Sequence, residues 1–188
     1  DAQAQEHMLA LLGEFHDWEA LWQLAHLHEV SSLVAYTLRP LAAQFGIPAA
    51  WQTRAQRRVL ATLLRNTSLR DELGRVITAL RQANIGVIPV KGVVLAETIY
   101  GELSVRPAAD MDILVRPQDL PAARKVLYDL GYGHREELLF VERHHPYHDP
   151  QYFRQVDGND LCLELHWALW ADRYFHLDSA VLWERAVS

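Results

Sequence analysis

Through about residue 83 the apolar residues recur at helical spacing, and after that shorter β-branched or alternating runs take over. Asp17 reads as the N-cap of a helix from Trp18 to His28, with Trp18, Leu21, Trp22 and Ala25 on one stripe. Ser31 or Ser32 caps a helix running through Leu38, bent or ended by Pro40 and closed at Gly46. A long helix spans Ala49 to Ala83, with Leu60, Leu63, Leu64, Leu73, Ile77 and Leu80 as its apolar positions. Arg54, Arg57, Arg58 and Arg65 read as its solvated face. Past Asn84, Ile85 to Val90 is a strand, Val93 to Tyr100 a short helix stopped by Gly101, and Ala109 to Val115 a second strand. Asp119 caps a helix from Leu120 to Leu130, with Pro121 in its first turn and Gly131 past its end. Gly133 to Gln155 is irregular or weakly stranded, Leu161 to Leu165 is a strand, and Asp178 to Val187 is helical. The expected fold is α+β: a helical N-terminal region, residues 1–83, followed by a mixed-sheet core flanked by helices, residues 84–188.

The alternation at the second strand carries the chemistry. Asp110, Asp112 and Leu114 share one face; Met111, Ile113 and Val115 share the other. Two carboxylates side by side repel each other and resist desolvation, and a divalent cation between them relieves both problems. The bland alternative is a solvated strand end with local side-chain to backbone bonds. In the later strand, Cys162, Glu164 and His166 alternate with Leu161, Leu163 and Leu165. If the two strands pair, Glu164 joins Asp110 and Asp112 around one cleft, a set suited to two Mg²⁺ ions (Mn²⁺ as the alternative) and to a general base for an acceptor hydroxyl. Lys91-Gly92 lies at a strand-to-helix junction, where backbone N–H groups and a lysine suit a phosphate. Arg106 either neutralises a triphosphate or forms a surface ion pair.

Composition narrows the class. Half of the 188 residues are hydrophobic and 22% are charged, as in ordinary water-soluble domains. No apolar run is long enough for a transmembrane helix, and Asp1 to Gln5 shows no signal-peptide pattern. The missing initiator Met marks a trimmed or excised piece as one possibility. The single Cys162 fits a reducing cytoplasm. A formal net charge of −6 argues against long nucleic acid as the partner, although a local basic patch still admits a nucleotide.

Val90-Lys91-Gly92, Tyr100-Gly101, Arg106, Asp110-Met-Asp112-Ile-Leu-Val115, Leu130-Gly131-Tyr132, Glu164-Leu-His166-Trp167 and Leu182-Trp183-Glu184-Arg185-Ala186 follow one another in the order that resembles the bacterial uncharacterised nucleotidyltransferase family. That family lies in the DNA polymerase β-like superfamily, and the resemblance covers roughly residues 60–187. It implies Asp110 and Asp112 as metal ligands, Glu164 as the third carboxylate, and a nucleoside triphosphate as substrate. Lys91-Gly92-Val93 stands where the wider superfamily has Gly-Ser, and the interval from Gly92 to Asp110 is longer than in minimal members.

Glu142-Arg-His144-His145-Pro-Tyr-His148-Asp149 offers three histidines, but not in a zinc-ligand spacing and with no cysteine beside them. They read as structural, as a metal-dependent hydrolase site, or as a loop rimming the cleft with Tyr147, Tyr152 and Phe153. His166 is either a hydrogen-bond partner of a metal-bound carboxylate, a substrate contact or a satisfied buried histidine; Trp167 and Trp170 read as core. Two function classes stand: a Mg²⁺-dependent transferase moving a nucleotidyl group to an unknown acceptor (small molecule, protein or RNA end), and a catalytically silent interaction module.

Overall fold

The computed structural model describes residues 2–135, 151–168 and 179–186. Among these, four helices come first: α1 (Ala2–Glu14), α2 (Trp18–Leu27), α3 (Ser31–Leu38) and the 34-residue α4 (Ala49–Gln82). Then come β1 (Val87–Val90), α5 (Gly92–Thr98), β2 (Met111–Val115), α6 (Leu120–Asp129), β3 (Tyr152–Val156), β4 (Asn159–His166) and α7 (Ser179–Arg185). The α+β architecture with N-terminal helices is as the pattern predicts.

Local details follow the cap chemistry in part. The Asp17 side chain accepts from the Ala20 amide at 2.9 Å, closing the first turn of α2. Neither serine caps α3; Val30 takes that place, and Ser32 Oγ instead bonds Thr62 Oγ1 at 2.6 Å, fastening α3 to α4. Asp119 sits at the N-cap of α6 without a side-chain bond, because a 3-10 turn, Pro117–Asp119, already leads the chain into the helix. Leu60, Leu63 and Leu64 are exposed rather than core (53, 36 and 61% accessible). The buried stripe of α4 is Val59, Thr62, Asn66, Leu69, Leu73, Val76 and Leu80, which keeps Leu73 and Leu80 and passes one or two positions away from Leu60, Leu63 and Leu64.

Two apolar clusters result. One holds Trp18, Ala35, Leu38, Ile47, Trp51, Ala55 and Val59 in the helical layer, with Trp51 edge-on to Trp18 and Trp22. The other packs Leu69, Leu73, Val76 and Leu80 of α4, with Ala123 and Leu127 of α6, on Met111, Ile113, Val115, Leu161, Leu163 and Leu165 of the sheet. α4 contributes to both. The sheet order is β1-β2-β4-β3; β2 and β4 run parallel and the other pairs antiparallel. Ile85 is buried but precedes the first strand pairing, which begins at Val87. Tyr152, one of the aromatics of the cleft-rim alternative, opens β3 and is buried in the core.

A second polar knot lies within the packing. Glu72 of α4, only 6% exposed, receives Arg75, Arg154 of β3 and the Tyr132 hydroxyl, all within 3.0 Å. Burial by itself pushes the Glu72 carboxyl up; the bonds from Arg75 and Tyr132 and the arginine charges outweigh it and hold the carboxyl below its ordinary range. Burial and the Glu72 charge push the Tyr132 hydroxyl up, so it stays a donor.

Candidate active site

With Met111, Ile113 and Val115 committed to the core, alternation turns Asp112 to the opposite face of β2. The parallel register sets Asp112 beside Glu164 and Leu114 beside His166. One oxygen of Asp112, one of Glu164 and a ring nitrogen of His166 lie within 4.8 Å of one another. His166 Nε2 is 2.9 Å from Asp112 Oδ1 and 3.2 Å from Glu164 Oε2. Ionised carboxylates only accept, so Nε2 carries the hydrogen and divides it between them. Burial disfavours the charged imidazole, but the hydrogen bonds to Asp112 and Glu164 outweigh it and raise its pKa above the ordinary value. Gln151 Nε2 donates to the other Glu164 oxygen at 2.9 Å.

Asp112 is 4% exposed and its buried charge is compensated by Lys91, whose Nζ lies 2.9 Å from Oδ1. β1 pairs antiparallel with β2 so that Val90 meets Asp112, which delivers Lys91 to this place. The backbone pays for the delivery. Lys91 has φ 52° and ψ −146°, a region that non-glycine residues occupy at a cost of about 1–3 kcal/mol. Gly92 follows at φ 37°, and a Cβ there would stand 3.1 Å from the Asp110 carbonyl oxygen, so this crossing of two backbones requires glycine.

Asp110 is half-buried immediately before β2 and stands outside the 4.8 Å group. Burial raises its pKa first, and the charges of Asp112 and Glu164 raise it further against the opposing pull of Lys91. Asp110 thus feels the same negative field that a cation would neutralise. Arg106 Nη1 donates to the Gly92 carbonyl at 3.0 Å and braces the Lys91-Gly92 turn.

The segment carrying Asp110 is held from α4 by Asn66 and Arg65. Asn66, fully buried, donates to Leu103 O at 2.6 Å and Arg106 O at 2.7 Å and accepts from the Ala108 amide at 3.1 Å. Arg65, expected on a solvated face, donates to Ala109 O and Asp160 O, joining the entrances of β2 and β4. The signal for Asn66 is its place on the buried stripe of α4, since a polar group there must find partners. Trp167 is half-buried. His144, His145, His148, Tyr147 and Trp170 lie outside the described residues, and Phe153 is half-buried under the Arg135 guanidinium.

The donor set suits a hard divalent cation. Asp112, Glu164 and His166 bring two carboxylate oxygens and a ring nitrogen close enough together to hold a metal ion, and His166 is bonded to both carboxylates. Among the described residues no helix is long and apolar enough to cross a membrane. No curated protein and no solved structure gives a match to the chain. The family model described as uncharacterised nucleotidyltransferase matches residues 15–188, and the chain belongs to that family.

Proposed function

We propose that this protein is a Mg²⁺-dependent nucleotidyltransferase of the cytoplasm that moves a nucleoside monophosphate from a triphosphate to an acceptor hydroxyl and releases pyrophosphate. The observation that carries the reading is the pairing of Asp112 with Glu164 across β2 and β4, with Asp110 two residues earlier in the chain and Lys91 reaching in from the end of β1. When bound, the cation supplies charge neutralisation for the phosphate oxygens and the pyrophosphate leaving group.

The chain's own groups divide the remaining work. Asp112 and Glu164, with Asp110 beside them, would hold the cation. His166 fixes the rotamers of Asp112 and Glu164 through one shared N–H. Lys91 moves its ammonium from Asp112 to the triphosphate, and the Lys91-Gly92 turn, braced by Arg106, lets a phosphate approach the backbone. Glu164 accepts the acceptor proton as the acceptor oxygen bonds to the α-phosphorus. The bond from that phosphorus to the bridging oxygen breaks, and pyrophosphate leaves with its electron pair.

A second reading, a nucleotidyltransferase fold kept as an interaction module, draws on one observation. Lys91 and His166 both bond the same oxygen of Asp112, which gives the buried charge internal compensation. Calorimetry of each nucleoside triphosphate with and without Mg²⁺ separates the two. Binding that needs Mg²⁺ and disappears in Asp110→Asn/Asp112→Asn supports the transferase; a folded wild type that binds none favours the module.

A further inference from the structure

Arg58 is the half-buried arginine that has no acceptor among the described residues. Arg54, Arg65, Arg75, Arg106 and Arg154 each bond a carboxylate or carbonyl oxygen, whereas no oxygen receives the Arg58 guanidinium and its Nε is shielded from solvent as well. A guanidinium carries five donors in a planar fork and stays charged at any physiological pH, so a partly dehydrated one without an oxygen partner is a site prepared for an anion.

Its position is specific. Arg58 lies seven residues before Arg65 on α4, two helical turns along the same face. Arg65 bonds the Ala109 carbonyl, and Arg58 lines a groove of about 340 Å³ whose opposite wall is Pro107, Ala108 and Ala109. The remaining wall comes from His26, Leu27 and Glu29 at the end of α2. Ala109 is the residue before Asp110, so this wall of the groove and the acidic site are neighbours along the chain. Its volume is that of a small-molecule site or a single inserted side chain.

We propose that this groove seats an anionic group, a carboxylate or a phosphate, belonging to the acceptor, with Arg58 as the specificity-determining contact and His26 as a second donor. The acceptor is then a hydroxyl compound or segment bearing a negative charge. The binding claim stands on the Arg58 groove alone; its assignment to the acceptor rests on the nucleotidyltransferase reading above.

The test is a titration of the full chain with inorganic phosphate and with acetate, read at the Arg58 Nε–H in proton–nitrogen spectra. Arg58→Lys, which keeps the charge and spares the fold, identifies the signal. The expected result is a saturable shift of that one signal, with phosphate or acetate as the stronger ligand naming the acceptor's anion. Binding weakens about tenfold in Arg58→Gln and is unchanged in Asp112→Asn. A flat response at Arg58, or the same gradual drift at every arginine, overturns the site. If Mg²⁺ with a triphosphate displaces the anion from Arg58, the groove belongs to the nucleotide and the acceptor assignment falls. If the anion binds Arg58 but no triphosphate binds anywhere, the groove stands and the nucleotidyltransferase reading fails.

Discussion

Replacing Asn66 by alanine removes three hydrogen bonds at once from the segment that carries Asp110. The Ala108 amide and the Leu103 carbonyl are then left buried without partners, and the Arg106 carbonyl is left half-buried. Each fully buried orphan costs about 1–3 kcal/mol. Two of them, reduced by partial relaxation of an otherwise irregular loop, give a loss of about 3 kcal/mol. With a urea dependence of about 2 kcal/mol per molar for a chain of this size, the unfolding midpoint falls by about 1.5 M. Asn66→Asp sharpens the test. It keeps the acceptor for Ala108 but sets a carboxylate against two carbonyl oxygens, so it destabilises at least as much as alanine despite conserving shape. The assay is urea unfolding followed by circular dichroism, with Mg²⁺–triphosphate affinity measured on the folded fraction. A midpoint for Asn66→Ala within about 0.3 M of wild type, equivalent to about 0.6 kcal/mol, would refute the claim that these bonds hold the 103–108 segment in place.

Three further outcomes are expected. Gly92→Ala forces a side chain into a left-handed conformation against the Asp110 carbonyl, so stability drops by about 1–2 kcal/mol and Mg²⁺–triphosphate affinity falls about tenfold; unchanged calorimetry removes the close approach from the argument. Lys91→Ala leaves Asp112 with His166 alone, lowering stability by about 1–2 kcal/mol, and added Mg²⁺ raises the melting temperature more than it does in wild type; a variant indifferent to Mg²⁺ counts against the cation site. Because the folded Glu72 carboxyl titrates below its unfolded value of about 4.3, its contribution is complete above that pH and disappears as the pH falls through the folded pKa. The wild type therefore loses stability, as the pH falls below about 4.3, more steeply than Glu72→Gln, which urea midpoints measured across that acid range decide.

Alternation made the acidic face of β2 and the Glu164 face of β4 legible, because burying Ile113 and Leu165 leaves Asp112 and Glu164 no other side. The register that matches 112 to 164 was not, since it depends on pairing between strands about fifty residues apart. Arg106 illustrates the same limit: an arginine near two aspartates invites a charge role, yet its bond is to the Gly92 carbonyl, a partner set by where the chain returns. The leucines at 60, 63 and 64 misled because they share a helix with the true stripe; Leu60 and Leu63 each follow a stripe residue by one position, about a hundred degrees of rotation, and Leu64 lies two positions from it. Asn66 and Arg65 looked ordinary because their partners are backbone atoms 37 or more residues later.

α4 runs for about 50 Å at 1.5 Å per residue, with Val59 in one apolar cluster and Val76 in the other. The helix cannot fray between them without stripping residues from both. Melting is accordingly a single cooperative event rather than two, and the amides near Val59 exchange with solvent at nearly the rate of those near Val76. A disturbance in the Trp18–Trp51 cluster is then registered as a lower population of the intact acidic cleft, although no side chain of that cluster touches Asp112.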